Sequence, residues 1–113
     1  MIRRTFGSHG SYAIDLLDRI MILNVHGPGN IELVKQFIQD GLTIVRDFET
    51  KERWGSVVNV NGVPLLPPDA TRLLINSNSY GKAHGLIANA VVLGDVEFAQ
   101  SAKSFWQQIY DAS

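Results

Sequence analysis

Ile20-Met21-Ile22-Leu23-Asn24-Val25-His26-Gly27-Pro28-Gly29-Asn30 is the stretch from which the fold is read. Its first six residues are apolar on both faces, as a central strand covered on each side requires. His26 through Gly29 then stop the strand, because Gly and Pro favour turn dihedrals. Asn30 is a helix N-cap, its side-chain oxygen accepting a free backbone N–H of the first turn, worth about 1 kcal/mol. Glu32 follows where the helix dipole favours negative charge. Val34, Phe37, Ile38, Gly41, Val45 and Phe48 then recur at helical spacing through Glu49. Gly41 lowers helix propensity, and its missing side chain is expected to let the helix sit close to a sheet.

Working back toward the N-terminus, Tyr12, Ile14 and Leu16 alternate with Ala13 and Asp15, the period of a half-buried strand. Asp18-Arg19 reads as a tight turn, so this strand and the next form an antiparallel hairpin. Residues 1–10 hold Gly7, Ser8 and Gly10 and are expected to be a flexible lead-in. Working forward, Lys51-Glu52-Arg53 is a solvated connection, and Trp54 to Val60 a third strand ended by Asn61-Gly62. Pro64, Pro67 and Pro68 exclude regular structure until a helix begins near Asp69, with Ala70, Leu73, Leu74 and Ser77 inward and Gly81 or Gly85 at its end. Leu86 to Leu93 is the most strand-like segment. Asp95 is expected to cap a last helix whose inner side carries Phe98, Ala99, Ala102, Phe105, Trp106 and Ile109.

The order is β-β-α-β-α-β-α over residues 11–113, one α/β domain with a mixed four-stranded sheet and helices packed on it. The 113 residues suffice for one core, and 45% hydrophobic with 19% charged side chains is a globular composition. Ten basic against eleven acidic residues leave a net charge of −1, without the cationic surplus that nucleic-acid binding needs. The absence of cysteine excludes disulfides, thiolate metal sites and thiol nucleophiles. Neither a signal peptide nor a membrane span is read, and a cytoplasmic location is expected.

Catalytic chemistry is poorly supplied. His9, His26 and His84 share no helix face or ligand spacing, so neither a metal nor any other cofactor is expected. His26 is read as a hydrogen bonder that fixes its loop rather than a general base. Gly27-Pro28-Gly29-Asn30 lacks both the dinucleotide-binding glycine spacing and the Lys-Ser/Thr of a phosphate loop, and reads as a strand-to-helix turn. Asp15 and Asp18 serve the hairpin, and Ser8, Ser11 and Ser56 lack a nucleophile-elbow context. His26, Gly27, Asn30, Asn61, Gly62, Asp69 and Asp95 fall at strand ends or helix starts and are expected to gather on one edge, where open α/β sheets usually bind ligands.

From about Tyr12 the order of elements resembles the STAS family, the fold of bacterial anti-sigma-factor antagonists. Val57-Val58-Asn59-Val60-Asn61-Gly62-Val63, Leu65-Leu66 and Pro67-Pro68-Asp69-Ala70 resemble that family's strand, apolar pair and helix-opening loop. The resemblance implies a non-enzymatic regulatory module with a protein partner. Its alternative is a domain holding a small apolar ligand or lipid beneath the loops, against Leu65, Leu66 and Phe98. Pro68 falls at or beside the family's phosphorylatable hydroxyl, and Thr71 does not match it, so the phosphate switch is expected to be missing.

Overall fold

The computed structural model describes residues 2–47 and 53–113. Strands β1 (Ile2–Thr5), β2 (Ser11–Leu17) and β3 (Ile20–Gly27) come first, followed by helix α1 (Ile31–Asp47), strand β4 (Trp54–Gly62) and helix α2 (Pro68–Ala83). Strand β5 (Leu86–Val96) and helix α3 (Ala99–Asp111) close the chain. The sheet order is β1-β2-β3-β4-β5, antiparallel over its first three strands and parallel from β3 to β5. The class is therefore α/β with a mixed sheet, but the sheet has five strands rather than the expected four. The expected helical positions Phe48 and Glu49, and Lys51-Glu52 of the connection, lie outside the described residues.

Among the described residues, one face of the sheet is covered and the other is not. Tyr12, Ile14, Met21, Leu23, Trp54, Val58, Val60 and Leu86 are buried on the inner face, with Ala70, Leu74, Trp106 and Ile109 from the helices. α2 packs beside both α1 and α3, so the three helices form one layer. The indole N–H groups of both tryptophans satisfy loop carbonyls as they are buried. Trp106 donates to Pro64 O at 3.1 Å and Trp54 to His84 O at 3.0 Å, tying α3 and β4 to opposite ends of α2.

The fifth strand corrects the expected lead-in. Ile2–Thr5 pairs antiparallel with β2, Ile2 opposite Ile14 and Arg4 opposite Tyr12. Arg4 thus stands on the helix side of the sheet with its side chain 46% exposed, within reach of a counter-charge. Asp40 of α1 provides it, accepting two bonds from the guanidinium at 3.0 Å each. The same carboxylate accepts from the Tyr12 hydroxyl at 2.5 Å and from Gln36 Nε2 at 3.1 Å. Phe6 stacks on the Tyr12 ring and Phe37 meets it edge to face. This network holds a four-residue strand in place, together with its backbone ladder.

At the other end, β5 runs to Val96, past the expected stop at Gly94-Asp95. Asn61 Oδ1 accepts the Asp95 N–H at 3.0 Å, and Glu97 N–H reaches Gly62 O at 3.2 Å. Asp95 therefore belongs to the strand and does not cap α3. The N-cap of α3 is Phe98, left-handed at φ 51° and 75% exposed rather than on the inner face.

Asp40 titrates in a direction that gives a test. Burial alone would raise its pKa, but the bonds from Arg4, Tyr12 and Gln36 outweigh burial and hold the carboxyl below its usual range. The anion therefore stabilises the fold fully above the unfolded value of about pH 4, and that contribution is lost as pH falls through the lower folded pKa. Asp40→Ala should cost about 2–3 kcal/mol at neutral pH, and Tyr12→Phe about 1 kcal/mol. Asp40→Asn should show a flatter loss of stability on acidification than the parent chain in denaturation curves collected across that range.

Candidate functional site

The edge at the strand carboxyl ends forms in part. In register, His26 lies opposite Asn61 and Gly27 opposite Gly62, while Gly62 faces Val96 on β5. With the Asn61–Asp95 bond, five of the seven expected residues meet there: His26, Gly27, Asn61, Gly62 and Asp95. Each has a local structural task. His26 Nδ1 lies 3.1 Å from Gly27 O, and a side chain at Gly27 would collide with the Val63 carbonyl. The other two residues belong to helix starts. Asn30 caps α1 as expected, accepting Leu33 N–H at 2.9 Å. Asp69 lies one residue inside α2, whose N-cap is Pro67 with Pro68 as its first residue, and accepts Ala70 N–H at 2.8 Å.

A second concave feature lies deeper, between the inner face of the sheet and the helix layer. It is a partly open cavity of about 90 Å³ with almost wholly apolar walls. Leu65 and Tyr80 line it and are themselves 47% and 48% exposed, so it reaches the surface near both ends of α2. Leu65 and Leu66 stand where an apolar pocket beneath the loops was expected, but Phe98 does not line it.

Gly41 explains part of the gap. It is buried in the middle of α1, yet among the described residues outside its own helix nothing lies within 4 Å of the place a Cβ would take. The expectation that Gly41 brings the helix close to the sheet is thus reversed. The missing side chain leaves space that neighbours do not fill, and close-packed interiors rarely leave such space.

Among the described residues no charged side chain lines the cavity. Its polar lining includes Ser56 of β4 and Asn89 of β5, directly opposite each other and joined by a hydrogen bond from the Ser56 hydroxyl to Asn89 Oδ1. Ser77, Asn78 and Tyr80 of α2, Tyr110 of α3 and Tyr12 of β2 also line it. Burial pushes the Tyr110 phenol up to about 12, moderated by the adjacent Asn78 side chain. Asn78 Nδ2 is shut off from solvent, and the Tyr110 phenol is the hydrogen-bonding neighbour of its side chain.

Compared with protein-family models, curated proteins and solved structures, the chain matches none of them. Reading the sequence found Leu65 and Leu66 but not Asn78, Asn89 or Tyr110. The signal for Asn89 was its place as the polar residue between Ala88 and Ala90 in an otherwise apolar strand.

The space beside Gly41 makes a direct prediction. Gly41→Ala should raise stability by about 0.5–1 kcal/mol in chemical denaturation, because it gains helix propensity and meets no obstacle among the described residues.

Proposed function

We propose that this protein is a non-enzymatic binding domain that holds a small apolar molecule between its sheet and its helices. The cavity beside Gly41 carries this reading, since an apolar space that side chains leave unfilled is the setting in which an apolar ligand gains contacts without displacing well-bound water. Ligand binding to the folded state raises the melting temperature through mass action. Dissolved benzene should therefore stabilise the protein, and Gly41→Leu, which places a side chain in the space, should remove that response while remaining folded. Native mass spectrometry of protein taken directly from its cells should show added small-molecule mass. Benzene without effect on melting, together with ligand-free native mass, would refute the reading.

A second reading, a STAS-like interaction module with a protein partner, is supported by the β-β-α-β-α-β-α order from Ser11 and by the edge of the sheet at β5. From Leu86 to Gly94 this edge strand carries no charge and no proline, the devices that usually discourage edge pairing, and Ile87 and Val92 are exposed on it. On this reading the loop before α2 meets its partner without phosphate control. Pro67 and Pro68 provide no hydroxyl, and the Thr71 hydroxyl is turned back to Leu66 O at 3.5 Å. Peptide mapping should find segment 63–77 unphosphorylated, and a regulated phosphate on Thr71 that altered partner binding would contradict it.

A further inference from the structure

We infer that the β5 edge binds a second copy of this chain, antiparallel about a two-fold axis, so that the two β5 strands join both sheets into one. This rests on the interaction-module reading above, whose partner it names, and is independent of the cavity. The two edges of the sheet differ. β1, at one edge, is four residues long and carries Arg3 and Arg4, and short length and charge both discourage pairing with another chain. β5, at the other, is the longest of the five strands at 11 residues, and of these only Leu86 is buried. Asn89, Val91 and Leu93 stand beside the buried Ser56, Val58 and Val60 of β4, yet the helix layer leaves them partly exposed. An open groove of about 520 Å³ runs between β5 and α3, with Lys82 and Leu86 in its lining as well as Leu93, Lys103 and Gln107.

The occupant follows from the charges around this edge. α3 runs back along β5: it starts just past Val96, and Ser113 beyond its end accepts the Ser79 hydroxyl near the end of α2 at 3.3 Å. Lys103 and Gln107 line the groove, and Gln107 donates to Asp111 at 2.9 Å, so these three residues follow one stripe of α3. That stripe is positive toward the start of the helix and negative at its end. Along the strand the order is reversed, with Lys82 just before β5 and Asp95 and Glu97 at its far end. Among the described residues Lys82, Asp95, Glu97 and Lys103 form no ion pair within the chain. A two-fold axis normal to the sheet sets the start of one β5 beside the end of the other and keeps both helix layers on one side. It brings Lys82 toward Asp95 and Glu97 of the second copy, and Lys103 toward its Asp111. Opposite charges therefore meet in both layers, each pairing occurring twice. Parallel strands would instead set Asp95 and Glu97 against their own copies, where like charges repel. The uncharged stretch from Leu86 to Gly94 fills the centre of this contact and the charges form its rim.

The experiment is analytical ultracentrifugation of the full chain over a range of concentrations, for the parent and for charge variants. The parent should sediment as a dimer at micromolar concentration. Ala90→Lys should be a folded monomer, because Ala90 is exposed at the middle of the uncharged stretch and lines neither the groove nor the cavity. Lys103→Glu and Asp111→Lys should each weaken the dimer about tenfold, since either one turns two attractive pairings into repulsive ones. An equimolar mixture of those two variants should pair as tightly as the parent, because each changed charge then meets its opposite. A parent that stays monomeric at every concentration would overturn the inference. So would a dimer that keeps its affinity in Ala90→Lys, or one that the mixture fails to restore. A photocrosslinking residue in place of Val92, introduced in the native cells, separates this inference from the reading beneath it. A crosslink to a second copy supports both, a crosslink to a different protein overturns the inference and leaves the interaction module, and no crosslink to any protein removes both.

Discussion

All three helices press on the same face of the sheet, and the rest of the structure depends on that one-sidedness. β3, β4 and β5 are parallel and adjacent in chain order, so each crossover must carry a helix over the sheet before the next strand begins. Crossovers of the same hand running in the same direction return over the same face. Residues on each strand are thereby divided. Inward positions hold most of the core, while Thr5, Ser11, His26 and Asn61 form a row across the bare face in register through four strands. The neighbouring row carries Asn24 and Asn59, whose side chains bond at 2.9 Å. Polar residues on β3, a strand flanked on both sides, are compatible with this arrangement because only one of its faces needs apolar cover.

Local chemistry made much of this legible. Asn30 as a cap, the two-residue turn at Asp18-Arg19 and the apolar run from Leu86 each act through near neighbours, and each stands where expected. The misread elements depend on partners far along the chain. Ile2-Arg3-Arg4-Thr5 looks too polar for a strand until Asp40, 36 residues beyond Arg4, neutralises its guanidinium. Gly94-Asp95 looks like a stop until the Asn61 side chain, 34 residues before Asp95, takes the Asp95 N–H. Such bonds leave no periodic trace, so hydrophobic spacing cannot reveal them.

The candidate site was legible to a smaller degree for a related reason. Five of the seven strand-end residues do assemble, because strand ends and the loops after them must share an edge of the sheet. A void is different. It depends on how far a helix stands from the sheet and on which side chains fill the interval, quantities set by the whole packing rather than by a residue's neighbours. Gly41 was visible in the sequence, but whether an absent side chain permits close approach or leaves empty space is decided only by what lies opposite.

Two buried polar groups then show how the interior separates structure from site. Asp40 receives four donated hydrogen bonds from three side chains, and its carboxyl is held below its ordinary range, the mark of an anion with its needs met. Its role is complete within the fold, linking β1 and β2 to α1. Asn78 has a donor that is equally closed to water, and its polar neighbour is the Tyr110 phenol on the same cavity wall. The two settings differ in charge. Asp40 is an anion that needs several donors, whereas Asn78 and Tyr110 set neutral polar groups of α2 and α3 against apolar walls, where burying a charge would cost far more.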